Sequence, residues 1–278
     1  MKLSVFTDEV CREDPGRALA LIAGWGLQYG ELRTVRTGRF PLVPDAEIEE
    51  FQHLVEGEGL AISAVSPGFF KCPVHDPQVR PLLDRELPRA CDWARRLGTD
   101  LVSAFAFLRP PGQHQPPAQV IDYLGEMAHI ADHHGCRLAL ENEAVCWGGT
   151  GLEAADLIRR TGSSNLSLCW DPGNAARAGA PCPFPDEYQQ LKDLVAHVHM
   201  KNFDPEGRRW SLMEQGVVDW PGQLRALAAD GYQGYLVIET HLNISPDMFA
   251  LANPDLSDLE RNTWRNLEFV SACLSDAL

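Results

Sequence analysis

Four residues that could bind a metal ion or transfer protons lie at the ends of apolar segments in the second half of the chain. They are Glu141, Asp171, His199 and Glu239, which follow the segments CRLAL, LSLCW, LVAHV and GYLVI. The intervals between them are 30, 28 and 40 residues, about the length of one strand–helix unit. Burying three carboxylates close together is very unfavourable without a compensating charge. Because three carboxylates and one imidazole suit a divalent cation, the pattern predicts a metal site.

The type of ligand indicates which metal and which chemistry to expect. Oxygen-rich ligation with one imidazole favours Mn²⁺, with Mg²⁺, Co²⁺ and Zn²⁺ as alternatives. A metal with open positions can hold two vicinal oxygens of a sugar and polarise a carbonyl. Removal of the proton beside that carbonyl needs a carboxylate, and inversion needs one on each face of the substrate. Glu141 and Glu239 could be this base and acid, or both could only ligate the metal.

The rest of the chain predicts a fold that would bring the four residues together. Eight apolar, strand-like segments alternate with amphipathic segments of helical period. The predicted strands are Leu3–Thr7, Tyr29–Leu32, Ala61–Ser66, Leu101–Ala106, Arg137–Glu141, Leu166–Asp171, Val195–His199 and Leu236–Glu239. Such alternation indicates a parallel sheet covered by helices. With eight units we expect one α/β domain over residues 1–278, a single (β/α)8 TIM barrel; an open, doubly wound sheet is the alternative.

Composition and charge restrict the partners. The chain of 278 residues carries 24 basic and 39 acidic side chains, a formal net charge of −15. Because this charge repels phosphate backbones, we expect a small-molecule substrate and no nucleic acid. The opening MKLSVFTDEV is too short and too acidic for a signal peptide, and no apolar stretch reaches about 18 residues. We therefore expect a cytoplasmic protein without a membrane partner; a homo-oligomer is compatible with the sequence.

Seven motifs spread over nearly the whole chain: SVFTDEV, GLQYGELR, LALENE, WDPGNA, HVHMKN, GVVDWPGQLRAL and DGYQGYLVIETH. They resemble the sugar isomerase/epimerase branch of the xylose isomerase-like TIM barrel superfamily. The resemblance implies a metal-dependent isomerase or epimerase of a ketose or sugar phosphate, acting by proton transfer through an ene-diolate. In ketose 3-epimerases of this branch, a Glu, an Asp, a His and a second Glu on strands five to eight hold the metal, and the two Glu exchange the proton. These roles carry over to Glu141, Asp171, His199 and Glu239.

Within HVHMKN, strand alternation directs both His197 and His199 towards the barrel interior. The choice of His199 as the ligand rests on the resemblance and on its nearness to the strand end.

Five further polar residues near strand ends are predicted to contact the substrate. They are Glu31, Arg33, Asn174, Lys201 and His241. For Glu31 and Arg33 the alternative is a local ion pair, and His241 could instead orient the glutamate two residues before it. Asn174 stands where many relatives have a substrate-binding histidine. The resemblance therefore supports the chemistry and leaves the particular sugar open.

Three other functions would use the same barrel. The same base chemistry could drive β-elimination from a 3-keto-glycoside, which would make the protein a lyase. A non-catalytic sugar-binding barrel is the second alternative, although all four metal-site residues are present. The third is an apurinic endonuclease, against which stand the charge of −15 and the absence of further histidine ligands at the matching strand ends.

Overall fold

A closed barrel of eight parallel strands forms the centre of the computed structural model, which describes residues 1–242 and 253–277. The strands, numbered β1 to β8 in chain order, are Lys2–Phe6, Tyr29–Leu32, Ala61–Val65, Leu101–Ala104, Arg137–Glu141, Leu166–Trp170, Val195–Met200 and Tyr235–Ile238. Each strand pairs with its neighbours in the chain, and β8 pairs with β1. The predicted TIM barrel is therefore confirmed, and the open-sheet alternative is wrong. A single domain over residues 1–278 stays a prediction.

Helices follow the barrel strands. They are Pro15–Gly24, Asp45–Gly57, Leu87–Arg96, Ala118–His133, Gly151–Thr161, Pro172–Arg177, Tyr188–Leu191, Trp220–Ala229 and Asp258–Ala277. Shorter helical segments are Thr7–Glu9, Val79–Pro81, Leu82–Glu86, Pro183–Glu187 and Lys192–Leu194. Within residues 1–242 and 253–277, none of the helices combines the length and the apolar character needed to cross a membrane.

The helix Gly151–Thr161 shows how local sequence sets these boundaries. The Thr150 hydroxyl accepts the backbone N–H of Glu153, and the Glu153 carboxylate accepts the N–H of Thr150, both at 3.2 Å. This reciprocal capping satisfies N–H groups that the first turn leaves free. The helix stops at Gly162, whose φ of 67° is the left-handed conformation that glycine adopts without strain.

The barrel interior carries a polar layer near the carboxyl ends of the strands. In β7, Val198 and Met200 belong to the hydrophobic core, whereas His197 and His199 contact Glu31 of β2. Because β2 and β7 are not neighbours, contacts between them must cross the barrel interior. Both histidines therefore face inwards, as strand alternation predicts.

In the part of the chain that the structure describes, three short antiparallel strand pairs, which were not predicted from the sequence, extend the rim at the carboxyl ends of the barrel strands. They are Thr34–Val35 with Gly38–Arg39, Ala106–Leu108 with Cys146–Trp147, and Asn202–Asp204 with Arg209–Ser211. The predicted strand 101–106 is thus two segments, because the chain leaves the barrel after Ala104 and then pairs with the loop that follows β5. These pairs add walls around the mouth of the barrel.

Candidate metal centre and active site

The four predicted metal ligands meet at the mouth of the barrel. Donor atoms of Glu141, Asp171, His199 and Glu239 all lie within 4.8 Å of one another. Each of these residues is at most 5% exposed. Glu141 ends β5, Asp171 follows β6, His199 lies in β7 and Glu239 follows β8. The parallel strands therefore gather four side chains that are far apart in the sequence.

The donor atoms that remain free suit a divalent cation. Asp171 caps the helix Pro172–Arg177, since its Oδ1 accepts the Asn174 N–H at 2.8 Å. Its Oδ2, His199 Nδ1 and Glu239 Oε2 are buried and have no hydrogen-bond partner in the described structure. Buried polar atoms without partners are rare in folded proteins. A cation among these atoms would satisfy them, so the residues fit a divalent metal.

Lys201 supplies one positive charge to this set. Its Nζ lies 3.0 Å from Asp171 Oδ2 and 2.8 Å from Glu239 Oε2, which are ion-pair distances, although the angles do not suit hydrogen bonds. Burial lowers the pKa of Lys201, but these carboxylates raise it above its ordinary value. One ammonium does not balance three carboxylates: burial and the charges of Glu141 and Glu239 raise the pKa of Asp171 to about 7. A divalent ion would supply the missing charge.

Glu31 holds the two inward-facing histidines. It is fully buried, and its carboxylate oxygens lie 2.6 Å from His197 Nε2 and 2.9 Å from His199 Nε2. When His199 donates Nε2–H to Glu31, the lone pair of its Nδ1 faces the ligand set, 3.3 Å from Glu141 Oε1. A carboxylate behind a ligating histidine is the usual arrangement in metal sites. The structure thus places Glu31 against the Nε2 side of His199; its contact with substrate stays a prediction.

A network of charges at the ends of β1, β2 and β8 holds Glu239. Arg33 donates to Glu239 Oε1 at 2.6 Å, and its remaining donors reach Asp8 at 2.9 Å and Glu9 at 2.5 Å. His241 Nε2 lies 2.7 Å from the same Glu239 oxygen, and its Nδ1 lies 2.9 Å from Glu9. Burial lowers the pKa of His241, but Glu239 raises it to about 9. These contacts use Oε1 and leave Oε2 of Glu239 facing the ligand set.

Asn174 plays a comparable part for Glu141. Its Nδ2 donates to Glu141 Oε1 at 3.1 Å, and both residues line the cleft above the barrel. Burial raises the pKa of Glu141, but His199 and Lys201 lower it below its ordinary value. The carboxylate is therefore ionised, and it lines the cleft.

The cleft has a volume of about 1310 Å³, and its walls combine charges with aromatic faces. Lys71 Nζ lies 2.6 Å from Glu143, and Arg177 lies 3.8 Å from the same carboxylate. Phe105 lies beneath the Lys71 ammonium, and Trp210 lies beneath the Arg177 guanidinium. This combination suits a small ligand that has both hydroxyl groups and C–H faces.

Four of the five predicted substrate contacts line this cleft: Arg33, Asn174, Lys201 and His241. Their contact with a substrate stays a prediction, as do the metal and catalytic assignments.

Other cleft residues were missed by the sequence reasoning: Asp8, Glu9, Arg39, Lys71 and Trp210. The first two directly follow the predicted strand Leu3–Thr7, so the strand-end pattern that identified Glu141 could have included them. Arg39 and Trp210 lie on short antiparallel strand pairs at the rim. These strands lack the apolar periodicity from which a strand can be predicted.

Residues 19–261 match the family model described as xylose isomerase-like TIM barrel. The fold is similar to that of D-psicose 3-epimerase with D-tagatose from Clostridium cellulolyticum H10, with a TM-score of 0.74, 16% identity and 99% of each chain covered. It is also similar to D-allulose 3-epimerase from Methylomonas sp. in complex with D-allulose, with a TM-score of 0.74, 18% identity, and 98% of this chain and 96% of that chain covered.

The fold is also similar to that of a xylose isomerase-like TIM barrel protein from Mycobacterium smegmatis in complex with magnesium. The TM-score is 0.72, the sequence identity is 21%, and the comparison covers 100% of this chain and 97% of that chain. A curated relative, an uncharacterized protein of Methanocaldococcus jannaschii, is 27% identical over 119 residues, 42% of this chain. That match spans 41% of the relative's length. Because the family model covers most of its sequence, the chain belongs to the xylose isomerase-like TIM barrel family.

Proposed function

We propose that this protein is a divalent-metal-dependent isomerase or epimerase that acts on a ketose or ketose phosphate by proton transfer. The observation that carries the proposal is the convergence of Glu141, Asp171, His199 and Glu239, whose donor atoms lie within 4.8 Å of one another. Support comes from the shared fold of the D-psicose and D-allulose 3-epimerases and from the neighbour that was solved with magnesium. Mn²⁺ is the ion we expect, because oxygen ligands and one imidazole suit it.

Glu141 and Glu239 are the groups to which we assign the proton transfers. Both line the cleft, and they come from the ends of β5 and β8, three strands apart around the barrel. Burial raises the pKa of Glu239, but Lys201 and other cations lower it well below its ordinary value. Both carboxylates are thus ionised, and either can accept a proton from carbon. The bound metal would polarise the substrate carbonyl and so make the neighbouring C–H acidic.

The two glutamates then divide the reaction between them. One removes the carbon-bound proton to form the ene-diolate, and the other returns a proton. Return to the opposite face of the same carbon gives an epimer, and return to the neighbouring carbon gives an isomer. Asn174 orients Glu141, and Arg33 with His241 orients Glu239, so that each carboxylate keeps its direction during the transfer.

Solvent exchange tests this function. The metal-supplemented protein is incubated in D₂O with ketoses, ketose phosphates and 3-keto-glycosides, and the products are followed by NMR. We expect deuterium at the carbon beside the carbonyl in a product that keeps all of the substrate's carbon atoms. Release of the aglycone would instead assign lyase chemistry, and no exchange on any of these substrates with metal bound would contradict the proposal.

Glutamine substitutions test the assignment of the two carboxylates. Glu141→Gln and Glu239→Gln keep shape and an oxygen ligand, and each should lower turnover by roughly 10²–10⁴-fold. Glu58→Gln, at an exposed position after the helix Asp45–Gly57, is the matched control. If Glu239→Gln still exchanges the substrate proton but forms no product, Glu141 is the first base. Near wild-type turnover of both variants with metal bound would refute the two-glutamate mechanism.

A further inference from the structure

Arg39 lies in the cleft without a carboxylate partner. Its Nε donates to the Pro67 carbonyl oxygen at 3.0 Å, and its Nη groups make no hydrogen bond or ion pair to the residues that the structure describes. Arg33, which lines the same cleft, instead uses its donors on three carboxylates. Of these two arginines, Arg39 is therefore the one whose Nη groups remain available to a ligand.

The surroundings of Arg39 make a guanidinium without an ionic partner energetically unfavourable. Burial lowers its pKa to about 10, so the group is still charged at neutral pH although much of its hydration is lost. Buried charges in proteins are normally paired, because an uncompensated one is strongly unfavourable. Asp8, Glu141 and Glu239 act on Arg39 only at longer range, and none of them forms an ion pair with it. Arg39 is half-buried in the wall of the cleft, so its guanidinium is accessible to an anion that enters there.

Gly68 places the Arg39 guanidinium on the side of the mouth that faces the metal ligands. A Cβ at residue 68 would lie 2.8 Å from Arg39 Cζ, so only glycine lets the guanidinium lie this close to the backbone. Gly68 follows β3, and β3 lies across the barrel from β7, which carries His199. A ligand held at the metal centre by one end would therefore direct its other end towards Arg39.

We propose that Arg39 binds a terminal anionic group of the substrate, a carboxylate or a phosphate, so that the preferred substrate is an acidic ketose. The planar guanidinium matches two oxygens of such a group, which makes the contact both strong and directional. Lys71 and Arg177 line the same cleft, although both share the carboxylate of Glu143. With a net charge of −15, the chain needs such local cations to bind an anion at all.

This inference rests on the proposed function, but binding tests it without turnover. The metal-loaded protein is titrated calorimetrically with D-fructose 6-phosphate, D-fructuronate and neutral D-fructose. Arg39→Gln should weaken binding of at least one acidic ketose by about 10- to 100-fold, because a charged bidentate contact is lost. Binding of the neutral ketose should change less than about twofold, since its contacts do not involve Arg39. Arg39→Lys, which keeps the charge but not the fork, should recover part of the loss.

Arg36→Gln is the matched control, because Arg36 lies on the same rim segment but is exposed and paired with Glu50. It should bind all three ketoses as the wild type does. Weaker binding of D-fructose 6-phosphate, of D-fructuronate, or of both by Arg39→Gln supports the inference. The ligand that is affected identifies the anionic group that Arg39 binds.

Two results would overturn it: wild-type affinity of Arg39→Gln for both acids, or an equal loss for all three ketoses. Failure of the proposed function would look different: an acidic ketose would still bind in a way that depends on Arg39, but no deuterium exchange would occur.

Discussion

Replacing Glu31 by glutamine tests how the protein orients His199, the histidine that we propose as a metal ligand. The Glu31 carboxylate lies 2.6 Å from His197 Nε2 and 2.9 Å from His199 Nε2, and it accepts the Ser66 hydroxyl at 2.6 Å. Burial raises the pKa of Glu31, but the two histidines lower it well below its ordinary value, so it carries a full charge. Glutamine has the same shape but only one accepting oxygen. One of the two histidines must then face an N–H₂ donor.

The expected size of the effect follows from these contacts. A hydrogen bond to a charged group contributes about 1.5–3 kcal/mol, which corresponds to a change of about 10- to 150-fold in an equilibrium constant. Substitutions behind metal ligands typically lower metal affinity by about 10- to 100-fold. We therefore expect Glu31→Gln to weaken Mn²⁺ binding by about 10- to 100-fold, because a neutral amide holds His199 less firmly than the carboxylate does in the tautomer that presents Nδ1.

Titration with Mn²⁺, followed by electron paramagnetic resonance, measures this change. Ser66→Ala is the graded control: it removes one hydroxyl donor but leaves the Glu31 charge and both histidine contacts in place, so it should weaken Mn²⁺ binding by less than about tenfold. Circular dichroism shows whether both variants fold. Wild-type Mn²⁺ affinity in a folded Glu31→Gln protein would refute the idea that Glu31 orients a metal-binding histidine.

Three further predictions concern the same mouth of the barrel. Because burial and neighbouring carboxylates raise the pKa of Asp171 to about 7, a proton competes with the metal below that pH. The apparent Mn²⁺ affinity should therefore fall as the pH drops from about 8 to about 6, by up to about tenfold per unit, and a flat profile would contradict this. In Gly173→Ala, the new Cβ would lie 2.8 Å from the Lys201 carbonyl oxygen, so backbone must move. Urea denaturation should show that the free energy of unfolding falls by about 1–3 kcal/mol, and Mn²⁺ should bind more weakly. If neither the free energy of unfolding nor the Mn²⁺ affinity changes, the loop accommodates the new methyl group without cost. Gly68→Ala should displace Arg39 and, in calorimetry, lose acidic-ketose binding as Arg39→Gln does; retained binding would show that Gly68 does not place the guanidinium.

The barrel and the convergence of Glu141, Asp171, His199 and Glu239 could be predicted because both depend on local patterns. An apolar strand ends where a polar residue begins, and in a parallel barrel all such ends share one face. Glu141 and His199 lie at the ends of strands predicted in this way, and Asp171 is displaced by only one residue, from strand to helix cap. The resemblance favours His199 over His197 as the ligand, and this choice stays a prediction.

Contacts between distant loops could not be predicted in the same way. Glu31 and His197 are 166 residues apart, and their hydrogen bond depends on how β2 and β7 face each other across the closed barrel. The lack of a partner for Arg39 is likewise a property of its three-dimensional surroundings, since nothing in the segment TGRF distinguishes it from a surface arginine. Sequence patterns locate strand ends, whereas pairings across the mouth depend on tertiary packing.

The measurement that tests the central claim most directly is the Mn²⁺ content and affinity of the wild type beside Asp171→Ala and His199→Ala. We predict a single bound ion in the wild type and its near-complete loss in both variants, which should still fold because the barrel core does not depend on either side chain. Asp132→Ala, at an exposed position in the helix Ala118–His133, should bind the ion as the wild type does. Wild-type metal content and affinity in both Asp171→Ala and His199→Ala would contradict the assignment of the metal centre.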